Sequence, residues 1–133
     1  MSHESGVEIV RRIYDAWATG DFRARVDDLD QHVVLVIGPD FPEFGVFVGP
    51  DGVRHYMQRF LEQWGRLTIE AKQLRAVGDT VLAHVVQHAK GRASGIEGDL
   101  WYFMLFTFRG KKIVRLESIM DEGEALEAVG LQE

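Results

Sequence analysis

The sequence predicts an α+β domain built on one mainly antiparallel sheet, and three observations carry that expectation. Apolar residues recur at helical spacing up to Trp64. From Leu67 onward they alternate, with glycine-centred turns between the runs. The chain of 133 residues, 46% of them hydrophobic, suits a single domain (residues 1–133) whose core needs no covalent staples.

Ser5-Gly6-Val7-Glu8 has the pattern of a capping box, and Val10, Ile13, Tyr14 and Trp17 follow on one helical stripe before the stop at Thr19-Gly20. Asp21 can cap a short second helix with Phe22, Val26 and Leu29 as its apolar positions. His32 to Ile37 is a β-branched run of strand length. Gly38 to Pro50 holds all three prolines, so a loop is expected, with room for a short strand at Val46 to Val48. Asp51 is placed to cap the next helix, whose stripe is Val53, Tyr56, Met57, Phe60, Leu61 and Trp64. Four strands then follow, at Leu67 to Ala76, Val81 to Lys90, Leu100 to Phe108 and Lys112 to Met120. Asp121 caps a terminal helix carrying Ala125, Leu126 and Val129.

Composition narrows the functional classes. With no cysteine, disulfides, zinc-thiolate sites and thiol nucleophiles are excluded. A net charge of -6 without a basic block argues against a nucleic-acid surface. No apolar run reaches the roughly 20 residues that span a bilayer, so no membrane partner is expected. The first residues lack the pattern of a signal peptide, and a cytoplasmic location is the expectation.

Alternation sorts the strand residues into faces. Val81, Ala83, Val85, Gln87 and Ala89 oppose Leu82, His84, Val86 and His88, and Leu116, Ser118 and Met120 oppose Arg115, Glu117 and Ile119. The strand from Leu100 is apolar on both sides, Tyr102, Met104, Phe106 and Phe108 against Trp101, Phe103 and Leu105. One face packs on the helices. The other needs a cover from this chain or from a second subunit; with the helices committed, a homodimer is the expectation.

Several stretches resemble SnoaL-like domains of the nuclear transport factor 2-like superfamily. They are Tyr14 to Asp21, Phe41 to Val53, Gly91 to Gly95, Gly110 to Arg115 and Glu124 to Leu131, and the likeness spans nearly the whole chain. The resemblance implies a cone, in which a strongly curved sheet wraps around the N-terminal and central helices and an apolar pocket opens at one end. It also implies homodimers packed through the convex face. Against ketosteroid isomerases, Ile13, Ile37 and Met104 fall where the phenol, the general base and the acid would sit. Against limonene-epoxide hydrolases, Gln87, Ser118 and Val85 replace the two aspartates and the arginine. None of these side chains can act as a general base. SnoaL-type cyclases use an aspartate late in the domain, for which Asp121 is the nearby candidate, though its position makes it first of all a helix cap.

Two readings remain open. In the first, the domain binds a small apolar molecule in a pocket lined by Tyr14, Trp17, Tyr56, Val85, Gln87, Tyr102, Met104, Phe106, Ser118 and Met120, the polar members orienting it or bonding one another. In the second, it is a polyketide cyclase-, isomerase- or hydratase-type enzyme using Asp121 or Glu43, the latter on the proline-rich loop, as acid or base. No cofactor is implied. His84 and His88 on one strand stand about 13 Å apart, too far to share a metal, and are expected on the convex side near Glu117. Gly49-Pro50-Asp51-Gly52 opens a helix, but Asp51 would repel a phosphate there.

Overall fold

The computed structural model describes residues 3–22, 28–41 and 43–130. Its elements run α1 (His3–Ala18), β1 (Leu29–Ile37), β2 (Gly45–Val48), α2 (Gly49–Leu61), β3 (Trp64–Val77), β4 (Thr80–Gly91), β5 (Glu97–Arg109), β6 (Lys112–Ile119) and α3 (Glu122–Ala128). The strands form one curved, open sheet in the order β2-β1-β6-β5-β4-β3, with β1 and β6 parallel and every other pair antiparallel.

Strand registers align the inward residues into rows across the sheet. Ile37 pairs with Ser118, Ser118 with Met104, and Met104 with Ala83. The next row runs through Leu35, Leu116, Phe106 and Val81. On this concave side α1 buries Ile9, Val10, Ile13 and Tyr14, while α2 buries Val53 and Phe60. Each such side chain, fully buried, contributes on the order of 1.5–3 kcal/mol. The inner faces expected for β4, β5 and β6 are the ones that line this core.

The convex side departs from expectation. Leu82, Phe103, Leu105 and Ile119 are covered by α3, through Ala125, Leu126 and Val129, so this chain supplies part of the cover itself. His84 stacks on Phe103 with centroids 4.5 Å apart, and Trp101 beside it stays half exposed. His88 is not near Glu117. Its Nδ1 lies 2.8 Å from Asp99 and its Nε2 3.6 Å from Glu70, because the β4–β5 register sets His88 opposite Asp99; Glu117 pairs with Arg115.

Local signals explain the other differences. Helix α1 already runs from His3, so Ser5 is an interior residue and not the cap. The helix expected from Asp21 falls on residues 23–27, outside the described residues, and Leu29 opens β1 instead. Asp51 is not a cap either. Helix α2 starts after Val48, with no side-chain cap, and Pro50 occupies its first turn, where a missing N–H costs nothing. Asp51 sits in that turn, favourable to the helix dipole, and pairs with Arg54. Trp64 begins β3 and does not belong to α2, because it pairs with Gly91 at the end of β4. Asp121 does cap α3, its Oδ2 accepting from Glu124 N at 2.9 Å.

Candidate functional site

Between the concave face and helices α1 and α2 lies a cavity of about 500 Å³. Its helical wall is the stripe of α2, where Val53, Tyr56, Met57 and Phe60 all face inward, and α1 adds Ile13 and Trp17. The sheet contributes polar groups from three strands: Gln87 on β4, Glu97, Asp99 and Tyr102 on β5, and Ser118 on β6. Tyr56 stacks on Phe60, centroids 5.8 Å apart, and Phe47 packs against Tyr56 at 5.0 Å. These contacts hold the helical wall in one orientation.

The polar end is built on β4 and β5. Tyr102 donates its hydroxyl to Gln87 Oε1 at 3.4 Å, long for such a bond. That bond uses only the oxygen of the Gln87 amide. Ser118 is 2% exposed and its Oγ has no hydrogen-bond partner. Three phenols surround this region, and burial is the main force on each, lifting their pKa values well above the ordinary tyrosine range. Smaller contributions come from the charge of Glu43 at Tyr56, of Tyr56 at Tyr102 and of Tyr102 at Tyr14. All three remain protonated donors at neutral pH and cannot serve as bases.

Of the residues expected to contact a ligand, Trp17, Tyr56, Gln87, Tyr102, Met104, Phe106 and Ser118 line the cavity. Tyr14 and Val85 do not. Both belong to the packed core, Tyr14 wedged edge-on between Trp17 at 5.1 Å and Phe106 at 5.8 Å, and Val85 fully buried. Met120 lines a separate hollow beyond Ser118, and Asp121 lines neither, its carboxylate being spent on the α3 cap. Glu43 lines the cavity, partly buried, close enough to Tyr56 for its charge to act on the phenol. Ile13, Ile37 and Met104, aligned with the acid–base groups of ketosteroid isomerases, all line the cavity and are apolar.

The sequence reading did not assign Phe41, Phe60 or Trp64 to the site, yet all three line it. The helical stripe that contains Phe60 was the signal available; Phe41 sits in a loop, where no periodicity points inward. Among the described residues, no group of three His, Asp or Glu side chains could hold a metal ion, and no helix is long and apolar enough to cross a membrane.

Fold and cavity can now be set beside known proteins. Residues 10–116 match the family described as SnoaL-like domain. The chain belongs to the SnoaL-like domain family. Solved structures described as nuclear transport factor 2-like and ketosteroid isomerase-like share the fold of this SnoaL-like domain. A nuclear transport factor 2-like protein from Burkholderia thailandensis is 25% identical with a TM-score of 0.76, over 86% of this chain and 88% of that one. TerC, co-crystallised with polyporic acid, is 17% identical with a TM-score of 0.74, over 94% and 98% of the two chains. A candidate SnoaL-like polyketide cyclase from Jannaschia sp. is 16% identical with a TM-score of 0.76, over 98% and 94%. No curated protein matches the chain.

Proposed function

We propose that this SnoaL-like domain binds a small apolar molecule in its cavity, with the body of the ligand against the aromatic helical wall and a hydrogen-bonding oxygen against Gln87, Tyr102 and Ser118. One observation carries the reading. The cavity is of ligand size, its walls are mainly apolar, and the positions that hold catalytic groups in related enzymes carry Ile13, Ile37 and Met104. That TerC was co-crystallised with polyporic acid agrees with a small-molecule ligand for this fold.

The test uses the two tryptophans that line the cavity, Trp17 and Trp64. Titration with a panel of steroids, polyketides and terpenoids is expected to give saturable quenching for one class, with a matching rise in Tm. Flat fluorescence and unchanged Tm across the panel would remove the reading.

A catalytic reading keeps one support, the position of Glu43 in the cavity wall next to Tyr56. There the carboxylate would act as base and a neutral phenol as donor. Mass spectrometry of panel ligands incubated with the protein tests it: turnover lost in Glu43→Gln supports it, and no product from any ligand ends it.

The reading extends to a homodimer through the convex face, supported by the half-exposed Trp101 beside His84, which α3 leaves uncovered. Light scattering on the wild type and on Trp101→Lys tests this, the variant being expected as monomer; a wild type that is already monomeric refutes it.

A further inference from the structure

Four carboxylates line the main cavity, Asp28, Glu43, Glu97 and Asp99, and among the described residues no basic side chain does so. Three of the four are engaged elsewhere. On the exposed rim of β5, Asp99 lies 2.8 Å from His88 Nδ1 and Glu97 4.0 Å from Arg66, and Asp28 has a partner of its own. Glu43 differs. It is partly buried in the wall, and among the described residues it makes no hydrogen bond or ion pair.

The loop that carries Glu43 also supplies a ring. Phe44 N donates to Phe41 O at 3.1 Å, a turn that sets Phe41 and Glu43 in the same wall. Phe41 stands at the end of the cavity, lining both it and the hollow beyond Ser118. Its plane lies at 84° to that of Tyr102, so the two rings form a corner. Tyr56 joins them from α2, near enough for the charge of Glu43 to act on its phenol, and Tyr56 acts in the same way on Tyr102. One end of the cavity therefore gathers three aromatic rings and an unpaired carboxylate.

A half-buried carboxylate without a counter-charge is costly. Aromatic faces are electrostatically negative and attract cations. Both features are met by one kind of group, a cation with an apolar skin. We propose that this end of the cavity is a cage for an alkylated ammonium group, held by the charge of Glu43 and the rings of Phe41, Tyr56 and Tyr102, with the apolar body of the ligand along the rest of the wall. The proposal rests on the binding function proposed above and adds the charge of the ligand. A neutral head would leave Glu43 uncompensated, and an anionic head would be repelled by it.

Calorimetry on the full chain with three probes of one shape separates the cases. They are benzyl-dimethyl-hydroxyethylammonium, the neutral alcohol with a quaternary carbon in place of its nitrogen, and the carboxylate made by oxidising that alcohol. The ammonium is expected to bind about tenfold tighter than the alcohol, and the carboxylate weakest. That ratio should fall to about threefold or less in Glu43→Gln, which removes the charge, and in Phe41→Leu, which removes a ring. Equal binding of ammonium and alcohol overturns the cage and leaves the apolar cavity standing. A ratio that survives Glu43→Gln but vanishes in Glu97→Gln/Asp99→Asn also overturns it, because the cation is then read at the rim. Tightest binding by the carboxylate does the same. If none of the three binds, the cage falls, and the fluorescence panel decides whether the cavity reading falls with it.

Discussion

The ring of Phe41 meets Tyr102 edge to face, centroids 5.4 Å apart and planes at 84°. Such a pair contributes about 0.5–1.5 kcal/mol beyond the area it buries, and here it joins a loop to the central strand of the polar end. Tyr102 in turn donates to Gln87 Oε1. The position of the loop between β1 and β2 and the orientation of the cavity donors therefore depend on the same phenol.

Phe41→Ala should open the partition between the cavity and the hollow. Phe41 is 8% exposed, so its truncation leaves a void and is expected to cost about 3 kcal/mol. Phe41→Leu, which keeps most of the volume, should cost less than half as much. Urea midpoints measure both. A Phe41→Ala protein as stable as the wild type would mean the ring packs on nothing that matters.

Tyr102→Phe and Ser118→Ala should separate stability from recognition. The hydrogen bond from Tyr102 is long at 3.4 Å, so losing the hydroxyl is expected to cost under about 1 kcal/mol. Ser118 Oγ has no partner, and its removal should be neutral within about 0.5 kcal/mol or mildly stabilising. For a ligand that presents an oxygen, Tyr102→Phe should still weaken binding by about tenfold, which corresponds to one hydrogen bond at the strong end of its range. A large stability loss with unchanged ligand affinity would make Tyr102 structural.

High pH should unfold the protein before it ionises any tyrosine. All three tyrosines of the chain have pKa values lifted above the ordinary value of 10.0, chiefly by burial. Above pH about 10 the unfolded chain therefore releases protons that the folded chain retains, and stability falls as pH rises. Phenolate absorbance is expected to stay flat through that pH and then rise together with the loss of circular dichroism. A smooth absorbance titration near 10 with intact circular dichroism would show that a phenol is open to solvent.

The sheet faces and the helical stripe were legible because each repeats a local period. Val81, Ala83 and Val85 alternate with Leu82 and Val86, and Tyr56 and Phe60 lie one turn apart on the wall they form. The parallel pairing of β1 with β6 was not legible, since the contact of Ile37 with Ser118 joins residues remote in sequence. The same limit hid Phe41, whose place in the wall is set by Tyr102 on a distant strand. The misplaced cap at Asp51 had a local remedy: Pro50 marks the first turn and puts the start of α2 before it. Two apolar faces on β5 led to the expectation of a second subunit, yet Leu105 and Phe103 are covered by α3, an element whose docking side no period reveals.

Acid should weaken the outer sheet through Glu70. Lys72 Nζ donates to Glu70 Oε2 at 2.7 Å, and this hydrogen bond, then the charge of Lys72, then that of His88, holds the Glu70 carboxyl below the ordinary 4.5. A carboxyl depressed in the folded state adds stability above its unfolded pKa, and that contribution is lost as pH falls through the folded one. Glu70 is exposed to solvent, so the effect is small and screened by salt. Glu70→Gln is therefore expected to lose that small contribution at neutral pH and to have a flatter acid limb below pH about 4.5, so that the two stability curves converge in acid. Urea midpoints collected across that range at low and high salt measure it. Parallel acid limbs for wild type and variant would show that the Lys72–Glu70–His88 contacts contribute nothing to folding.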